Sequence, residues 1–96
     1  MYVVIFKANV ALFDEAYSQL AQQLRERAFA KYGCLGFDSA NEGGMEIALS
    51  YWPSLQHIRN WKNDPLHVHA QQKGREKWYS DFSVEICELV DSGKLP

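Results

Sequence analysis

All three tryptophans and all three histidines of this 96-residue chain fall in one stretch, from Trp52 to Trp78. Rings and titratable groups gathered this densely suggest two chemistries: a metal site, or the lining of a small-molecule pocket. His67-Val68-His69 invites the first, because histidines two apart on a strand project to the same side. Asp64-Pro65 argues against a strand, since an N-cap residue followed by proline at the first helical position starts a helix. On a helix, residues two apart point about 200° from one another, so the pair cannot share one ion. His57 stands too far away in sequence to complete a set, and no acidic residue has a ligand's spacing. No metal is expected.

The second chemistry has a better frame. On the same helix His67, Gln71, Gly74 and Trp78 are separated by four, three and four residues, and so share a face. The small Gly74 leaves room there, and a polar pair beside an indole suits the lining of a pocket between helix and sheet. The competing reading puts Trp78 in the core, Gly74 at a close helix contact, and His67 and Gln71 at the rim. Trp61, on a short preceding helix, fits either core packing or ligand contact. His67 is the natural candidate base, because an imidazole ordinarily titrates near neutrality. Asn9 ends an apolar strand; its amide can hold an oxygen atom, or it can simply form a turn. Nucleophilic catalysis has no support: Cys34 and Cys87 carry no local signature, and no Gly-x-Ser-x-Gly elbow occurs. Both cysteines read as reduced thiols.

The elements that must position these residues are legible. Tyr2 to Asn9 is dense in Val, Ile and Phe and reads as a first strand. From Asp14 to Tyr32, Tyr17, Leu20, Leu24 and Ala28 recur at helical spacing, with Asp14 as N-cap and Gly33 at the C-terminus. Cys34 to Asn41 and Met45 to Trp52 form a hairpin around Asn41-Glu42-Gly43-Gly44. Ser54 caps a short helix through Trp61, a longer one follows to about Tyr79, and Phe82 to Val90 alternates into a fourth strand. The order β-α-β-β-α-β is the ferredoxin-like split pattern of an α+β protomer with a four-stranded antiparallel sheet. It makes one domain over residues 1–90, with residues 91–96 a C-terminal tail. Its usual strand order separates Cys34 from Cys87 at opposite edges.

Tyr2, Val4, Phe6 and Ala8 alternate with Val3 and Ile5, so both faces of the first strand are expected to be buried. Met45, Ile47, Leu49 and Tyr51 alternate with Ala48, Ser50 and Trp52, which are not strongly polar. A second copy packing sheet against sheet would account for this, and a homodimer is expected. A chain this size buries only about two-thirds of its unfolded surface, so a partner also adds needed stability. Hydrophobic residues at 47% and charged residues at 23% describe an ordinary globular domain. The net charge of −2 gives no field for phosphate backbones, and Glu46-Ile47-Ala48-Leu49 lacks an RNA-binding signature. Neither nucleic acid nor a membrane is an expected partner: no apolar run approaches the roughly 18 residues of a spanning helix. The apolar start lacks a basic region before it, so it reads as a strand in a cytoplasmic protein.

Ser50-Tyr51-Trp52-x-Ser54, then Trp61, His67, Ala70-Gln71, Gly74-Arg75 and Trp78-Tyr79, resemble the antibiotic biosynthesis monooxygenase (ABM) domain family of the dimeric α/β-barrel superfamily. The resemblance covers roughly Tyr2 to Val90. It implies a ferredoxin-like protomer whose sheet pairs with a partner's to form a dimeric α/β barrel, with a pocket in each protomer. It also implies an oxidoreductase without metal or flavin: a small cofactor-independent monooxygenase acting on an aromatic or quinol-type molecule whose own carbanion reduces oxygen. Asn9 and His67 would be the catalytic residues, with Trp61, Gln71 and Trp78 binding the substrate. Two alternatives stay open: a non-catalytic dimeric small-molecule-binding or stress-response protein, and a haem-degrading monooxygenase. Haem-degrading members place an iron-ligating histidine about where Gln71 stands, and here the pattern departs.

Overall fold

The computed structural model describes residues 1–93. Residues 94–96 of the expected tail lie outside the described residues. The chain runs β1 (Tyr2–Val10), α1 (Glu15–Lys31), β2 (Gly36–Glu42), β3 (Met45–Trp52), α2 (Leu55–Lys62), α3 (Pro65–Lys73), a π-helical turn (Gly74–Trp78) and β4 (Tyr79–Glu88). The four strands form one antiparallel sheet in the order β2-β3-β1-β4. This is the α+β, ferredoxin-like arrangement the sequence predicts. β2 and β4 are the edges; Cys34, just before β2, is buried, Cys87 on β4 is exposed, and both are free.

The caps are those the sequence places. Asp14 accepts the Tyr17 N–H at 2.8 Å and Ser54 Oγ accepts the His57 N–H at 3.3 Å, each satisfying a donor the helix itself leaves orphaned. Gly33, at φ +76°, lets the Cys34 N–H turn back to the Ala28 carbonyl at 3.1 Å. Gly43 and Gly44 have φ of +58° and +85°, the two positive angles that a two-residue hairpin turn of type I′ requires.

Two boundaries differ from expectation. The long helix stops being α-helical at Lys73 and widens by one residue per turn, the Tyr79 N–H reaching the Gly74 carbonyl. β4 accordingly begins at Tyr79 rather than Phe82, and ends at Glu88 rather than Val90. Tyr79, Ser80 and Asp81 lack apolar alternation, but their backbones complete the ladder opposite Val10 and Asn9, across a register shift between those two residues.

Cross-strand pairing assigns the sheet's faces, because directly opposed residues point the same way. Tyr2, Val4, Phe6 and Ala8 lie beside Trp52, Ser50, Ala48 and Glu46 under the helices. Val3, Ile5, Lys7 and Asn9 lie beside Tyr51, Leu49, Ile47 and Met45 on the open face. Val3 and Val4 are 8% and 5% exposed, so both faces of β1 are buried at that end. Farther along the open face, Met45 and Ile47 are exposed.

The core gathers Val4, Ala28, Cys34, Trp52, Ile58 and Trp61. Beside it, α1 is fastened to the α2–α3 junction by one carboxylate. Asp64 caps α3 through the Leu66 N–H at 2.8 Å and also accepts from the Arg27 guanidinium and the Tyr32 hydroxyl. The Arg27 hydrogen bonds hold the Asp64 carboxyl well below the usual carboxylate range, against the opposing pull of burial.

Candidate functional site

The helix–sheet layer is buried at both ends and half-buried between them. At one end Trp61 stacks on Trp52, with ring centroids 4.9 Å apart, and meets Phe37 edge-on. At the other end Tyr17, Trp78 and Ala8 are buried. Between them Leu20 and Leu24, on the α1 stripe of Tyr17 and Ala28, and Phe6 and Ala48 on the sheet are only half-buried.

His67 sits edge-on to Trp61, with centroids 4.4 Å apart, and its Nδ1 lies 3.3 Å from the Gln71 amide nitrogen. The shared helical face expected of His67 and Gln71 therefore exists. Burial pushes His67 down to about 4, helped by Lys62 and opposed by Asp64. It is neutral at physiological pH, but a weaker base than an ordinary histidine. The Trp61 Nε1 is buried without a hydrogen-bond partner.

The π-helical turn separates Trp78 from that group. Gly74 and Trp78 are buried, yet the Trp78 ring packs edge-on to Tyr17, 5.2 Å away, and its Nε1 also lacks a partner. Asn9 is not brought to this layer at all. It lies on the open face, where its Nδ2 donates to Asp81 Oδ1 at 2.7 Å beside a depression of about 320 Å³ shared with Lys7 and Met45.

Two residues on the helix side carry more chemistry than the sequence suggested. Glu46 pairs with Ala8 on β1 and Asn41 on β2, so its carboxyl points under the helices; its Oε2 is buried and has no hydrogen-bond partner. Burial pushes the carboxyl up. Tyr79 packs among Phe6 and Phe82, with centroids 5.5 and 5.9 Å away, and its hydroxyl donates to that of Tyr17 at 3.4 Å. Burial, then Glu46, raises the Tyr79 phenol well above its usual value, so it stays protonated. Arg75 is exposed, its guanidinium 5.7 Å from the Phe82 ring. The available signal was Gly74, since a Cβ there would stand 2.5 Å from the Tyr79 ring.

Haem does not fit these residues. The position that would ligate iron holds Gln71, and the His67 ring is packed against Trp61 and engaged by Gln71 at Nδ1. Among the described residues no three His, Cys, Asp or Glu side chains form a metal-ligand group. No helix among them is long and apolar enough to cross a membrane.

The chain is 34% identical over 95 residues to the uncharacterized protein YqjZ of Bacillus subtilis, covering 98% of this chain and 82% of that one. Its fold matches an antibiotic biosynthesis monooxygenase at a TM-score of 0.75 and 18% identity, covering 95% of this chain and all of the other. The chain belongs to the same family as YqjZ, and its fold is that of antibiotic biosynthesis monooxygenases (ABM). SnoaB of Streptomyces nogalater, a cofactor-independent oxygenase, superposes with a TM-score of 0.79 at 10% identity, over 95% of this chain and 94% of its own. Likeness at that identity carries the fold, not the reaction. The jasmonate monooxygenase ABM of Pyricularia oryzae is 26% identical over 97 residues, covering 96% of this chain. The chain spans only 45% of that relative's length. No family model matches the sequence.

Proposed function

We propose that this chain is a small ABM-type monooxygenase that acts, without metal or flavin, on an aromatic or quinol-type molecule held between the helices and the sheet. The observation that carries the reading is the Trp61 indole. Its N–H is buried and unpartnered, an arrangement that costs about 1–3 kcal/mol unless an acceptor arrives. It stands beside a neutral His67, and Leu20, Leu24, Phe6 and Ala48 farther along the layer are half-buried. A substrate oxygen accepting from Trp61 would satisfy that donor, while Leu20, Leu24, Phe6 and Ala48 receive the flat rings. His67 and Gln71 complete the polar wall, and Trp78 closes the far end. Once the substrate is deprotonated, its carbanion can itself reduce dioxygen, which explains how such a reaction runs without a cofactor; SnoaB is a precedent for cofactor independence on this fold.

Asn9 has no part in this site, since it faces the other side of the sheet. The open face has a different use. Its apolar residues Val3, Ile5, Leu49, Ile47 and Met45 suit packing against a second copy, and the working form proposed is a homodimer in the cytoplasm.

Oxygen consumption with a panel of aromatic quinols tests the function. Trp61→Phe keeps the ring and removes only the N–H, so turnover is expected to fall about tenfold or more while thermal stability changes little. Binding of quinols without any oxygen uptake would favour the non-catalytic binding protein instead. Unchanged turnover in Trp61→Phe would overturn the assignment of the site.

A further inference from the structure

We propose that Glu46 is the group that takes up the substrate's proton. The inference rests on the reading of the helix–sheet layer as the substrate site. A proton acceptor must reach into that layer, and Glu46 is the carboxylate that the sheet delivers there, lying opposite the buried Ala8. Its Oε2 has neither solvent nor a hydrogen-bond partner. A buried carboxyl oxygen left unpaired is costly, so a position that retains one has an unmet acceptor waiting for a donor. His67 meets the first requirement and fails the second, because burial makes it the weaker base and Gln71 already engages its Nδ1.

The groups around Glu46 favour proton uptake over ion pairing. Its strand neighbours are Ala8 on β1 and Asn41 on β2, and it is near enough to the protonated Tyr79 to raise that phenol further; Tyr79 in turn packs on Phe6 and bonds Tyr17. The charges nearest on the π-helical turn are turned elsewhere. Arg75 lies over the Phe82 ring, and Lys77 is paired with Asp14 at 3.3 Å. Lys7, Asn9 and Asp81 occupy the opposite face of the sheet.

The substrate hydroxyl faces Glu46. In the step itself, the substrate O–H bond breaks and a carboxyl O–H forms on Glu46. The electron pair stays on the substrate as a phenolate, whose charge delocalises to the ring carbon that later meets dioxygen.

4-Nitrophenol tests this directly, because its phenolate is yellow. A carboxylate that accepts the hydroxyl's hydrogen bond opposes a second negative charge beside it, so wild-type protein and His67→Ala are expected to hold bound 4-nitrophenol as the neutral phenol at the pH where the free phenol is half-ionised. The isosteric Glu46→Gln removes that charge and is expected to bind about tenfold more phenolate, the equivalent of one pKa unit. A phenolate fraction unchanged in Glu46→Gln, or raised as much in His67→Ala, would overturn the proposal while leaving the site intact. Failure of wild-type protein to bind the probe would instead overturn the site, and the proposal with it. A ligand-free check is the infrared band of a protonated carboxyl, expected to persist above the ordinary glutamate range and to be missing from Glu46→Gln; its absence from wild type would also refute the assignment.

Discussion

Asp64 and Glu46 are two acids turned into the same helix–sheet layer, and they have opposite surroundings. Asp64 accepts from a guanidinium, a phenol and a backbone N–H, and its side chain is 1% exposed. Glu46 has a buried oxygen with no donor at all, near the Tyr79 phenol. The same desolvation acts on both, yet the Asp64 carboxyl is held down by Arg27 while the Glu46 carboxyl is pushed up. A satisfied buried charge locks elements together; an unsatisfied one is available to a ligand. The contrast separates the end of the layer that holds the fold from the end that can do proton chemistry.

Exchanging each acid for its amide is the sharpest way to break the contrast. Asp64→Asn keeps the shape and most of the cap, but removes the charge that Arg27 and Tyr32 converge on. A loss of about 2 kcal/mol is expected, below the usual cost of breaking a buried pair because the Arg27 side chain is one-third exposed. The carboxyl titrates lower when folded than its ordinary value of 3.8, so its contribution is present above that pH and fades as pH falls through the folded value. Urea unfolding should therefore show the Asp64→Asn deficit shrinking in acid. A deficit independent of pH would mean that the cap alone matters.

Much of this comparison was hidden in the sequence for physical reasons. The element order, the hairpin and the caps at Asp14, Ser54 and Asp64 follow from local rules, because a cap bonds a residue two or three positions away. The partners of Asp64, Arg27 in α1 and Tyr32 at its C-cap, are 37 and 32 residues distant, which no local pattern encodes. Asn9 shares its strand parity with Val3 and Ile5, and Glu46 shares its parity with Ala48 and Ser50. Since both parities of β1 are apolar, sequence alone could not tell which one faces the helices, and Asn9 looked as well placed as Glu46 is. The π-helical turn is a further case: a single residue added to a helical turn leaves the composition unchanged, yet it moves Trp78 toward Tyr17 and brings Tyr79 onto Gly74.

Gly74→Ala tests whether that turn matters to the open end of the layer. In an ordinary helix the change would stabilise by about 1 kcal/mol. Here the new Cβ would stand 2.5 and 2.7 Å from two atoms of the Tyr79 ring, inside contact distance and against a rigid group. The sign should reverse, to a loss of about 1.5 kcal/mol in thermal unfolding. Displacing the ring would also let water reach Glu46, so the carboxyl should titrate nearer its ordinary value of 4.5. A stabilised variant with Glu46 unchanged would show that the π-helical turn is only a packing detail.

The smallest expected effect is the most discriminating, because it has the opposite sign to the first. Glu46 titrates higher when folded than its ordinary value of 4.5, so the folded state holds its proton more tightly than the unfolded chain. Its contribution is therefore full below that pH and is lost as pH rises through the folded value, where an unpaired charge must be carried on a half-buried group near Tyr79. Glu46→Gln removes the charge and cannot incur this loss. It should match wild type in acid and become the more stable protein toward neutral pH, by less than about 1 kcal/mol since the group is half-buried. Urea midpoints compared from about pH 4 to about pH 8 would show the two curves parting as pH rises, whereas those of Asp64→Asn part in the other direction. If Glu46→Gln instead lost stability at neutral pH, Glu46 would have a partner in the folded protein, and the acid would be a lock like Asp64 rather than a vacancy for a substrate proton.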